Sequence, residues 1–125
     1  MSDAHKIAIS VETEYLPEES DIPNHKHVFV YTITIVNEGT VGARLIGRHW
    51  VITDGDLNTQ EIRAEGVVGE QPKLHPGENF KYTSYAIINT PIGSMMGSYQ
   101  MINDAGQLFD AEIPTFLLAN PMLIH

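Results

Sequence analysis

Ala64-Glu65-Gly66-Val67-Val68-Gly69 is one substitution short of Gly-x-Gly-x-x-Gly, the glycine turn that cradles a dinucleotide pyrophosphate. That turn grips phosphate because backbone N–H groups converge at the N-terminus of a helix. Here Glu70-Gln71-Pro72 follows, where the first helical turn is needed. The segment therefore reads as a connection between strands, and the chain as a β protein rather than an α/β one.

The flanks agree, because apolar and polar residues alternate with the two-residue period of a strand. Ile7, Ile9, Val11 and Tyr15 share one face of a first strand. Pro17 to Pro23 is acidic and punctuated, a loop. His27 to Asn37 follows with Phe29, Tyr31, Ile33 and Ile35 inward. Ala43 to Asp54 is a third strand, with Ile46, Trp50 and Ile52 on one side. Asp54-Gly55-Asp56-Leu57-Asn58 has the Asp-Gly chemistry of a hairpin turn before a short strand, Thr59 to Ala64. Past the glycine segment, Phe80, Tyr82, Ala86 and Ile88 mark another strand, and Gly93 to Asn103 the next. Phe109, Ala111 and Ile113 begin the last, which Pro114 is expected to interrupt. No amphipathic helical window is present. About seven strands with regular turn signals predict an all-β fold, an antiparallel β-sandwich of immunoglobulin or fibronectin-III-like type with Trp50 in its core.

The 125 residues are enough for one domain, taken as 1–125, and for a core that needs no covalent staples. Cysteine is absent, which removes disulfides, thiolate metal sites and thiol nucleophiles and suits a reducing cytoplasm. Sixteen acidic against seven basic residues give a net charge of −9, a field that repels phosphate backbones, so no nucleic-acid partner is expected. Met1-Ser2-Asp3-Ala4-His5-Lys6 lacks the apolar core of a signal peptide, and no apolar run reaches the roughly 20 residues of a membrane span. The expected location is the cytoplasm, without a membrane partner. The apolar tail from Phe116 to His125 is expected to pack back on the sandwich, or else to cover an edge of a second copy in a homodimer.

Three segments together resemble the ApaG family: Arg48-His49-Trp50-Val51-Ile52-Thr53-Asp54, Gly66-Val67-Val68-Gly69-Glu70-Gln71-Pro72, and Pro76-Gly77-Glu78 with Tyr82-Thr83-Ser84. Thr90-Pro91, Gly93, Met95, Gly97, Tyr99, Met101, Phe109-Asp110 and Ile113-Pro114 extend the likeness over nearly the whole chain. The resemblance implies a fibronectin-III-like sandwich. It also implies a family whose biochemical activity is not established, associated in bacteria with cobalt resistance and magnesium efflux. Related eukaryotic domains are inferred to bind proteins. The chain departs from the family pattern by losing a glycine at Ala64, Leu57 and Tyr85. A Cβ at Ala64 hinders the close backbone approach that a pyrophosphate needs.

The candidate sites follow from residue chemistry. Gly66, Val67, Val68 and Gly69 are the possible anion site, through a nest of the N–H groups of Val67, Val68 and Gly69. Against it stand the flanking Glu65 and Glu70. Asp54, Asp56, Asn58 and Glu65 match four places of a calcium loop, but Thr59 occupies the glycine place and strands flank it, so a solvated hairpin turn is the better reading. His25 and His27 form a His-x-His pair entering a strand, read as surface histidines rather than as metal ligands. Met95, Tyr99 and Met101 read as core. No nucleophile elbow or paired carboxylates appear, so no catalytic residue, metal or cofactor is assigned. The leading expectation is a non-catalytic module that binds a protein partner through a strand edge or the glycine-rich segment, with His49, Tyr85, Glu70, Gln71 and Pro72 as contact candidates. The alternative is a phosphate or nucleotide binder, or a weak pyrophosphohydrolase assisted by a divalent ion.

Overall fold

Alternation is realised as eight β-strands and one 3₁₀ turn (Ile22–Asn24) in the computed structural model, which describes residues 5–121. Three strands form one sheet in the order β1 (Ile7–Tyr15), β2 (His27–Asn37), β6 (Asn79–Ile88). The second sheet runs β4 (Thr59–Glu65), β3 (Ala43–Asp54), β7 (Ile92–Asn103), β8 (Leu108–Ala119), and β5 (Lys73–Leu74) also pairs with β3. Every strand pairing is antiparallel, and the two sheets form a sandwich. The strand beyond the seven expected, β5, has two residues and is too short to announce itself by periodicity.

The inward faces meet in a core of β-branched and aromatic side chains. Phe29, Ile33, Ile35, Leu45, Met95, Tyr99, Met101 and Leu118 are all buried to 1% exposure or less, so the methionines are packing residues. Trp50 is buried at its centre, with ring centroids 5.7 Å from Tyr31, 5.9 Å from Phe116 and 6.4 Å from Tyr99. These edge-on arrangements are the ones that aromatic quadrupoles favour.

Two irregularities shape the rest. Between Leu45 and Gly47 the β3–β7 register slips, because Ile46 is an extra residue on β3. Leu45 therefore enters the core with Ala43 ahead of the bulge, and Trp50 and Ile52 do so after it, while Ile46 is only half-buried. The expected grouping of Ile46 with Trp50 is corrected by this change of phase. The second slip lies between Met95 and Gly97, where β8 carries the extra residue. Pro114 falls in that bulge, where its missing N–H breaks no regular ladder bond, so the last strand runs on to Ala119 instead of stopping. The tail thus docks within the chain as far as Ala119, and residues 122–125 lie outside the described part.

Candidate ligand cleft beside the glycine turn

The glycine segment is an excursion between two pieces of one sheet edge. β4 pairs with Gly47 to Thr53, and β5 with Ala43 and Arg44, so the chain leaves β3 opposite the Ile46 bulge and returns just beyond it. The bulge is bridged by three bonds: Gly66 N–H and Gln71 Nε2 donate to the Ile46 carbonyl at 2.9 and 3.0 Å, and Leu45 N–H donates to the Pro72 carbonyl at 2.9 Å. Among the described residues no helix follows Gln71. Val67 and Glu70 exchange backbone bonds of 2.8 and 2.9 Å around Val68 (φ +48°) and Gly69 (φ +79°). Positive φ at both central residues is the signature of a type I′ turn. Gly66 stands at φ +58°, and a Cβ there would strike the Glu70 carbonyl oxygen.

Bonding within the turn bears on the expected anion nest. The Val67 amide already donates to Glu70, so of its three donors only Val68 and Gly69 remain, and neither donates to the backbone of another described residue. Two amides flanked by Glu65 and Glu70, without a helix dipole behind them, are a weak grip for a diphosphate.

Beside the turn lies a cleft of about 270 Å³ between β3 and β6. Its inner wall is Tyr31, Trp50 and Tyr82, and its rim is Val68, Thr83 and Tyr85. Arg48 and Ser84 complete it. Because the bulge resets the phase of β3, Arg48 lies on the same face as Trp50 and Ile52. Its Nη1 donates to the carbonyls of Glu65 (3.1 Å) and Gly66 (2.6 Å), tying the turn to the cleft. The hydroxyls of Tyr82 and Tyr99 are hydrogen-bonded behind it, and burial pushes both phenols up, so they remain protonated at any ordinary pH. Thr83 Oγ1 is engaged with Thr32 Oγ1 at 3.0 Å on the outer face of the three-stranded sheet.

The expected contact residues are not all brought together. Tyr85, 64% exposed, lines the cleft together with Val68, and Glu70 and Gln71 are exposed on the turn. Pro72 is half-buried and used for its carbonyl. His49 lies on the other face of β3 from Trp50, with Nε2 3.3 Å from Glu61 Oε2 but making no aligned hydrogen bond, and it does not line the cleft. Arg48 and Ser84 were missed as site residues. The signal for Arg48 was a cation on the inward phase of an otherwise apolar strand face.

The other candidates resolve by geometry. Asp54 Oδ1 accepts from the amides of Asp56 and Asn58, both at 2.9 Å, so its carboxylate shapes the hairpin, while Glu65 sits at the far end of β4. His27 is buried at 4% exposure with Nδ1 3.2 Å from the Tyr15 hydroxyl, and His25 closes the 3₁₀ turn at φ +56°. That corrects the pair of surface histidines on one strand face: only His25 is exposed. Among the described residues no three His, Asp or Glu side chains are grouped as a metal site, and no helix is long and apolar enough to cross a membrane.

Comparison with known proteins places this geometry in a wider set. A family model described as the ApaG domain matches residues 17–103. The chain is 58% identical to Protein ApaG of Thiobacillus denitrificans over 121 residues, which are 97% of this chain and 95% of that one. It is 51% identical to Protein ApaG of Dechloromonas aromatica over the whole of both chains. Among solved structures, the putative ApaA protein of Bordetella pertussis superposes with a TM-score of 0.91 at 47% identity, covering 94% of this chain and 95% of that chain.

Proposed function

The chain belongs to the ApaG family, and from that premise we propose that it is a binding module whose partner is a protein, docked along the outer edge of β6. The observation that supports this reading most is the edge itself. β6 is ten residues long, stands at the end of its sheet, and pairs on one side only, with β2, among the described residues. Long unpaired edges are normally blunted, because their free N–H and C=O groups invite another strand. Here Lys81 is the one charged residue on the strand, and toward its C-terminal end the exposed side chains are apolar: Tyr85 is 64% and Ile87 51% exposed. They border a groove of about 430 Å³ with Leu16 and Val28 on its floor and Glu19 and Lys26 at its margin. An extended segment of a partner would gain main-chain bonds from the edge and side-chain selectivity from the groove. Any part in divalent-cation homeostasis would then run through the partner.

A photo-crosslinking residue placed at Tyr85 tests the reading against one placed at Glu112, on β8 of the other sheet. The expected outcome is a discrete adduct from cells at position 85, absent at 112 and abolished by Ile87→Asp. Equal labelling at both positions, or none at 85, removes the edge from consideration.

A further inference from the structure

Arg48 is an anomaly in this chain. Seven basic residues face sixteen acidic ones, and all of the other basic residues are exposed. The ion pairs among the described residues use His49, Arg63 and Lys73, so the half-buried Arg48 has no carboxylate partner. Its guanidinium offers five N–H donors in a fixed fork. Among the described residues only Nη1 is engaged, by Glu65 and Gly66, which leaves the Nε and Nη2 donors beside the cleft. Ser84, from the inward face of β6, adds a hydroxyl that bonds no other described residue. Val68 closes the rim at φ +48°, a conformation that strains a β-branched residue, and at 61% exposure its side chain gains little burial in return.

We infer that this cleft binds a single carboxylate carried on a short apolar stem, its oxygens held by the free donors of Arg48 and Ser84 and its stem packed between Val68 and the Trp50–Tyr82 wall. One planar cation matches one planar monoanion, the bidentate geometry in which arginine is strongest. A diphosphate would find a single compensating charge, with Glu65 and Glu70 flanking the turn and a net charge of −9 around it. The volume, about 270 Å³, lies just below the usual ligand-site range of roughly 300–1,000 Å³, so it suits only a small group, the size of an arylalkanoate. The cleft shares Tyr85 with the β6 edge, but its binding groups, Arg48 and Ser84, play no part in the edge reading, so either can fail without the other.

Titration of the ¹⁵N-labelled full chain with 3-phenylpropionate tests the inference. Saturable shifts are expected at the Arg48 Nε–H, the Ser84, Val68 and Gly69 amides and the Trp50 indole. The uncharged 3-phenylpropanamide should leave them in place. Arg48→Lys, which keeps the charge but not the fork, should weaken binding about tenfold, roughly the worth of one good charged hydrogen bond. Ser84→Ala, which leaves the turn's anchor intact, should weaken it by a smaller factor. A peptide ending in phenylalanine, with free or amidated C-terminus, separates a protein terminus from a small acid as the source, according to whether the free-ended peptide binds more or less tightly than 3-phenylpropionate. No saturable shift in the wild type, equal binding of the amide, or displacement of the acid by inorganic pyrophosphate would overturn the assignment.

Discussion

Val68 shows how much one residue can hold out of its preferred state. The type I′ turn needs left-handed backbone at positions 68 and 69, and Asn-Gly supplies it with least strain. Val68→Asn is therefore expected to stabilise the chain by about 1 kcal/mol, read as a higher urea midpoint with unchanged slope. If the cleft works as inferred, the same variant binds 3-phenylpropionate more weakly, the usual opposition of stability and function. His27 makes a separate residue-scale case. Burial, reinforced by the charge of His25, holds its pKa below the ordinary 6.5. The unfolded chain then takes up the proton first, so stability is complete above about pH 6.5 and falls as the pH drops from there toward the folded-state value. Thermal melts between neutral and mildly acidic pH should show this slope, and His27→Gln should flatten it. A wild-type midpoint that does not move over that window counts against the buried, neutral histidine.

At the scale of elements, the glycine turn and the Ile46 bulge are one device. The bulge leaves a carbonyl that Gly66 and Gln71 satisfy, and the turn leaves two carbonyls that Arg48 satisfies. Gly66→Ala breaks it from the backbone side, since the new Cβ would meet the Glu70 carbonyl at a positive φ. A loss of at least about 2 kcal/mol is expected by urea denaturation, against near-neutrality for a substitution of the exposed Gln60 on β4. The strands themselves were readable because alternation is a local property: Phe29, Tyr31, Ile33 and Ile35 point inward as their spacing requires. Pro114 and Ile46 were not readable as bulge residues. A bulge is a mismatch in count between two strands, and neither strand carries the other's register.

For the whole molecule, net charge sets a background against which every site works. Self-repulsion at −9 disfavours the compact state, and the Debye length of about 10 Å at 0.1 M salt screens it. Raising sodium chloride from low concentration to about 0.1 M should raise the urea midpoint. A fall would instead mean that exposed pairs such as Lys73–Asp104, 2.7 Å apart, outweigh the repulsion. Two-residue periodicity, turn chemistry and the missing helix after Gln71 were enough to establish an all-β sandwich with Trp50 inside, because each depends on neighbours a few residues apart. Only the folded chain decided that Arg48 faces Ser84 across 36 positions of sequence and that β6 ends its sheet. Those facts belong to strand pairing, and pairing is chosen by the burial of the whole core at once rather than by any segment in it.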